Sequence, residues 1–421
     1  MNFPACLILV NLLWLMGKVT PAVIVEAPTT GDYCFTTDPI REQVRRFFSK
    51  TAYQFIRGHE NIIPDSDCLP ERFWLLSRHG TRLTPAKDTK ILREKLPEIQ
   101  KEILENYARD PKNSELCAED LHLLEAWKWD TNVTEDQSEY LSQQGWEDLR
   151  GIAKYFQQQF PQRFPRKYSE EKFFFRHTNK QRTEASFQAF AEGLFGSYAN
   201  VKTAPIPDKD TLLRPYDFSE EWQEQKKEIY QEGSEYMKFR KSPEFLNVLA
   251  SVSKRGGYRD VQAAEKVELI FKACTYEQAW RIHEPSSWCS LFTPDDVKVL
   301  EYLHDLEEYY LSGSGSELNK LLPLELLDNF LNHFINESEP RVVAFFAHST
   351  IIELFLTTMG LAEDEMDLRA DNYEEMKNRK WRTSLLAPFA GNLAVVGFTC
   401  KPQSKNHLMF ILNEKVLSVV N

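Results

Sequence analysis

Phe73-Trp74-Leu75-Leu76-Ser77-Arg78-His79-Gly80-Thr81-Arg82-Leu83-Thr84 is an apolar run that breaks into a turn carrying a histidine between two arginines. The apolar part, over residues 72–77, reads as a short buried strand. Guanidiniums held this close repel one another unless something strongly negative lies between them, and their planar fork fits phosphate oxygens bidentately. Like charge pushes the imidazole between them toward its neutral form, which is the nucleophilic one. An anion cradle around a neutral histidine implies covalent catalysis on a phosphate ester, with a phosphohistidine intermediate.

The chain repeats this strand-then-turn pattern. Lys172 to His177 reads as a second strand, stopped at Thr178-Asn179-Lys180-Gln181, a capping-box spacing. The helix that follows places Phe187, Phe190, Ala191, Leu194 and Phe195 on one face. Arg341 to Ala347 is another strand, ending in His348, with a helix starting at once. Residues 85–160 are mainly helical in pattern, with a polar interruption from Asp130 to Ser138. Residues 208–338 are charged, aromatic-rich helical runs and read as an α-helical insertion. Asn392 to Thr399 and Leu408 to Leu412 read as closing strands. Strands followed by helices, with chemistry at the strands' C-terminal ends, describe an α/β core sheet with flanking helices. That core covers residues 23–207 and 339–421, and His79, the Arg176–Arg182 region and His348 converge at one edge of it.

The bulk properties bound the partners. The 421 residues carry a net charge of -12 with no basic stripe, which excludes the clustered Lys and Arg that nucleic acid requires. Cys6 to Met16 is apolar but too short to span a bilayer, so residues 1–22 read as a secretory signal cut after Ala22, with no stable membrane insertion afterwards. Cys34, Cys68, Cys117, Cys274, Cys289 and Cys400 then remain, an even set that favours disulfides with the pairing left open. Sequons at Asn132 and Asn336 fit the same route to the endoplasmic reticulum lumen or outside the cell, and no C-terminal retention signal is seen. No metal-ligand spacing, P-loop or dinucleotide glycine pattern is present, so no cofactor is expected.

The pattern R-H-G-x-R-x-T is the signature of the histidine phosphatases, and this segment resembles their acid-phosphatase and phytase branch. Trp288 to Phe292, Leu300 to Leu306 and Arg382 to Leu393 further resemble the multiple inositol polyphosphate phosphatases, over roughly residues 30–415. The resemblance implies an α/β core with an α-helical domain beside it. It implies His79 as nucleophile, with Arg78 and Arg82 on the transferring phosphoryl group and Thr84 adding a hydroxyl. Arg182 completes the pocket from the first turn of its helix, where the dipole also favours an anion. His348 hydrogen-bonds the phosphate, and Arg382 extends the pocket for a substrate with several phosphates. The implied substrates are inositol hexakisphosphate and lower inositol phosphates, with 2,3-bisphosphoglycerate beside them.

The third motif departs from the family. Where relatives have His-Ala-Glu or His-Asp, this chain has His348-Ser349-Thr350, and a threonine supplies no proton near neutral pH. Losing a general acid typically costs about 10²–10⁴-fold in rate. Glu353 is the nearest carboxylate, although Thr350 to Glu353 is itself a capping-box spacing that would hold it against backbone. Thr350 therefore separates two readings: an active phosphomonoesterase, and a pseudophosphatase that binds polyphosphorylated ligands without turnover.

Overall fold

Phe73, Trp74, Leu75 and Leu76 are all fully buried, because the strand they form lies inside a sheet covered on both faces. The computed structural model describes residues 33–59, 62, 68–336, 340–401 and 405–420. The expected signal at 1–22 lies outside them. The strands are β1 (Cys68–Arg78), β2 (Phe173–His177), β3 (Val342–Ala347), β4 (Asn392–Cys400), β5 (Lys405–Leu412) and β6 (Lys415–Val420). They form one six-stranded sheet in the order β2-β3-β1-β4-β5-β6. β3 pairs in parallel with both β1 and β2, whereas β4 to β6 run antiparallel.

Alternate side chains of β1 feed opposite layers, as a pleated strand requires. Phe73 packs edge-on against Phe156 (5.0 Å between ring centres) and Phe164 (4.7 Å), within the layer built by α3 (Gln143–Gln159) and α4 (Gln181–Phe195). Trp74 points the other way, against Phe330 (5.1 Å) on α11 (Leu324–Ile335) and Phe355 (5.3 Å) on α12 (Ser349–Thr358). The expected apolar stripe of α4 is in place: Phe187, Phe190, Ala191 and Leu194 are buried. That helix ends at Gly196, whose φ of 78° closes it in the left-handed conformation.

The remaining helices are α1 (Ala86–Arg109), α2 (Ala118–Ala126), α5 (Glu220–Glu228), α6 (Glu235–Phe239), α7 (Pro243–Arg255), α8 (Ala264–Trp280), α9 (Pro294–Ser312), α10 (Leu318–Leu321) and α13 (Thr383–Leu386). The described residues from 208 to 335 hold helices and turns but no strand, as expected. The cysteines pair as Cys34–Cys117, Cys68–Cys400 and Cys274–Cys289. β6 was not expected. It follows a two-residue turn, Asn413-Glu414, with φ of 49° and 64°, a hairpin geometry usually flagged by Asn-Gly or Asp-Gly.

Candidate active site

β1 and β3 end side by side, with Arg78 opposite Ala347, and β2 ends beside β3 with His177 opposite Phe346. The signature leaves β1 at that edge and is pinned at once: His79 N–H donates to Ala347 O (3.0 Å), and Ala390 N–H donates to His79 O (3.0 Å). Gly80 then presses on the start of α3. A Cβ at Gly80 would meet Gly145 O at 2.5 Å, and one at Gly145 would meet Thr81 O at 2.3 Å, so both positions require glycine. The Ser142 hydroxyl donates to Thr81 O (2.9 Å), and the Ser186 hydroxyl on α4 accepts from Gly80 N–H (3.1 Å). The turn is thereby clamped between two helices and a strand end.

His79 is 3% exposed. Its Nδ1 lies 2.8 Å from Gly80 O, which can only accept, so Nδ1 carries the proton and Nε2 keeps its lone pair. Burial first, then the Arg78 and Arg182 charges, hold its pKa well below the ordinary histidine value. The ring is therefore neutral and nucleophilic at Nε2.

Among the described residues Arg78 donates to the backbone carbonyls Ser49 O and Ala387 O, and it lies over the Phe389 ring at 4.7 Å. Burial, with the neighbouring Arg82 charge, lowers its pKa to about 10. Arg182 is likewise lowered, by burial and then by Arg82, against an opposing pull from Glu139. Glu139 reaches both of these arginines, with Oε1 3.6 Å from Arg82 and Oε2 3.7 Å from Arg182.

His348 caps α12 from the end of β3, with its ring centre 5.6 Å from that of His79. Its Nε2 meets the Thr178 hydroxyl at 3.0 Å. Burial, then Arg182, Arg214 and Arg78, hold its pKa well below the ordinary value, so it too is neutral. The structure thus brings Arg78, His79, Arg82, Arg182 and His348 together.

Three further expected site residues have their polar groups engaged by other partners. The Thr84 hydroxyl is fully buried and bonded to Thr89 (2.6 Å), where it ties the signature to the first turn of α1. Arg382 pairs with the buried Glu301 (3.1 Å), in a charge network around α9. Glu353 is fully buried and accepts from Ser312 (2.5 Å), and its charge bears on Arg78 and Lys50. Neither expected capping box forms: His348 and Lys180, not a bonding Ser or Thr, occupy the N-cap positions of α12 and α4.

Other groups at the site escaped the sequence reading. Lys50 comes from the N-terminal segment; burial, Arg78 and Arg82 push its pKa down. Arg214 precedes α5 and bears on both Arg182 and His348. Lys50 and Arg82 line a cavity of about 870 Å³ together with Lys272, His304, Glu307 and Glu308. Lys50 and Arg214 carry no motif in the sequence, and the fold alone brings them near Arg82 and Arg182.

The chain has counterparts among known proteins. The model of the histidine phosphatase superfamily (branch 2) matches residues 71–413. The multiple inositol polyphosphate phosphatase 1 of Drosophila melanogaster is 41% identical over 397 residues, spanning 92% of this chain and 84% of that protein. The Homo sapiens protein of the same name is 27% identical over 416 residues, 90% of this chain and 84% of its own length. Among solved structures, the phytase from D. castellii superposes with a TM-score of 0.67 at 20% identity, covering 89% of this chain and 80% of that one.

Proposed function

The chain belongs to the histidine phosphatase superfamily (branch 2), and on that premise we propose that it removes phosphate from inositol polyphosphates through a phosphohistidine at His79. The observation that carries the reading is the neutral His79, with its Nε2 lone pair available, set among Arg78, Arg82, Arg182 and His348. Phosphoryl transfer needs mainly positioning and stabilisation of charge on the equatorial oxygens. Arg82 and Arg182 supply guanidinium donors for those oxygens, Arg78 adds fixed positive charge beneath them, and His348 donates a ring N–H. His79 Nε2 attacks phosphorus, the ester oxygen leaves, and water then releases phosphate from the histidine.

The substrate class follows from the relatives and from the cavity beside Arg82. Its volume of about 870 Å³ falls in the range of small-molecule sites, about 300–1,000 Å³. Lys50 and Lys272 on its wall suit a ligand with phosphates beyond the one being transferred.

We also place the protein in the secretory route, as a luminal or secreted glycoprotein. Three disulfides support this, as does the exposure of Asn132 and Asn336. Among the described residues no helix is long and apolar enough to cross a membrane.

The test is phosphate release from inositol hexakisphosphate by the purified protein, with p-nitrophenyl phosphate followed across pH. A folded-state His79 pKa below the ordinary 6.5 leaves the nucleophile unprotonated under mildly acidic conditions. kcat/KM for p-nitrophenyl phosphate, corrected for substrate ionisation, should therefore persist below pH 6.5. Binding of inositol hexakisphosphate without release of phosphate from either ester would favour the binding-only reading that Thr350 raises.

A further inference from the structure

The family resemblance implies an acid where this chain has Thr350, so a proton for the departing inositol oxygen must come from another group. Glu353 is fully buried and bonded to Ser312, Asp88 on the wall of the neighbouring cavity is paired with Lys272 (2.9 Å), and Glu307 and Glu308 on that wall are engaged by His304 (3.4 Å) and Glu353. Among the described residues, Glu139 is the carboxylate that reaches Arg82 (3.6 Å) and Arg182 (3.7 Å).

Depth separates these groups. His79 is 3% exposed, the Arg82 and Arg182 side chains 12% and 14%, and the Glu139 side chain 38%. The order from the interior outward is nucleophile, phosphate-binding arginines, carboxylate. In-line displacement puts the leaving oxygen opposite the attacking nitrogen, and Glu139 bridges the two arginines that would hold the phosphoryl oxygens.

Its backbone is held to the signature. Glu139 N–H donates to Thr84 O (3.2 Å), Leu83 N–H donates to Tyr140 O (2.9 Å), and Arg82 bridges to Leu141. The φ of Glu139 is 59°, a left-handed conformation that side-chain-bearing residues seldom adopt and that collects at functional sites.

We propose that Glu139 is the proton donor to the leaving oxygen, a role that rests on the phosphohistidine reading of His79. As the chain stands, its carboxylate spans the two arginines. A phosphate dianion takes over those guanidinium N–H groups and frees the Glu139 side chain. As His79 Nε2 bonds phosphorus, the P–O bond breaks, its electron pair goes to the ester oxygen, and that oxygen takes the proton from the Glu139 carboxyl. In the second half a water oxygen bonds phosphorus and its proton passes to a phosphoryl oxygen, while Glu139 regains its proton from solvent. The N–P electron pair returns to Nε2, leaving inorganic phosphate and neutral histidine.

Glu139→Gln keeps the size and a polar contact to the arginines but carries no transferable proton. Steady-state kinetics of this variant and of the wild-type chain on inositol hexakisphosphate and on p-nitrophenyl phosphate separate the possibilities. The proposal predicts a fall in kcat of about 10²–10⁴-fold on the inositol ester, whose alkoxide needs a proton. It predicts only a few-fold change on the nitrophenyl ester, whose leaving group does not. An equal fall on both esters would overturn it, as would an unchanged kcat with lower KM on both, the result expected if Glu139 merely competes with phosphate. Should Glu139→Gln misfold, the wild-type chain tested on a series of substituted phenyl phosphates still decides. Proton donation gives a shallow dependence of kcat on leaving-group pKa, and a steep one contradicts it. His79→Ala abolishes turnover of both esters whatever the role of Glu139, so failure of the nucleophile reading is told apart.

Discussion

Arg78, Arg82 and Arg182 at the strand ends, and Arg46, Arg379 and Arg382 around α9, are the same residue type in opposite circumstances. Around α9 every guanidinium has a carboxylate. Arg46 and Arg382 each meet Glu301 at 3.1 Å, and Arg379 meets Asp305 through Nε at 2.9 Å, with both carboxylates fully buried. Thr383 adds two hydrogen bonds to Asp305, at 2.9 and 2.7 Å. Burial alone would lower the Arg379 pKa, but Asp305 and Glu301 more than reverse that and raise it. At the strand ends burial and neighbouring cations prevail, and Arg78 and Arg182 are lowered. Around α9 the arginines meet fully buried carboxylates, whereas at the strand ends Arg82 and Arg182 share the more exposed Glu139 at 3.6 and 3.7 Å, beyond hydrogen-bond reach, and Arg78 bonds backbone carbonyls.

This contrast breaks most visibly if one buried acid is removed. Asp305→Ala leaves the buried Arg379 with the longer contact to Glu301 (3.7 Å), and breaking a buried pair costs about 3–5 kcal/mol. Urea unfolding should show that loss, while kcat/KM of the folded protein stays within a few-fold. A stable variant with poor catalysis would mean that the network belongs to the site. The converse substitution is Arg182→Ala, which should leave the unfolding midpoint near wild type. It should cost about 3–4 kcal/mol of transition-state stabilisation, the scale of one lost oxyanion-type contact. Lysine at 182 should rescue only partly, since it lacks the bidentate fork. Arg382→Ala carries the smallest effect. It removes charged hydrogen bonds to Glu301, worth about 1.5–3 kcal/mol of stability, and should leave KM for inositol hexakisphosphate close to wild type. A KM raised tenfold or more would return Arg382 to the substrate pocket.

The two arginine groups also show what a sequence can carry. The strands before His79 and His348 were legible because a doubly covered strand must be apolar throughout, as Phe73–Leu76 and Val342–Ala347 are. Arg182 was legible because it opens a helix directly after such a strand. Arg382 looked like Arg182, and only its partner tells them apart; Glu301 is 81 positions away in the chain. Thr84 sits inside the signature, yet its hydroxyl is consumed by Thr89, a local bond that a motif does not display. Glu139 and Lys50 come from segments without periodicity, and tertiary pairing alone sets them beside Arg82. The disulfide pairing was open for the same reason: Cys68 and Cys400 meet because β1 and β4 pair in register, 332 positions apart.

The central claim is that the neutral His79 receives the phosphoryl group, and rapid-quench labelling tests it most directly. Wild-type protein and His79→Ala are mixed with ³²P-labelled inositol hexakisphosphate for milliseconds and quenched in base. The protein-bound label is then mapped by proteolysis. The account predicts an acid-labile, base-stable label on the peptide that contains His79, formed and discharged at rates at least as fast as turnover, and absent from His79→Ala. Multiple turnovers with no trapped label, with label on another residue, or with undiminished activity in His79→Ala would contradict it.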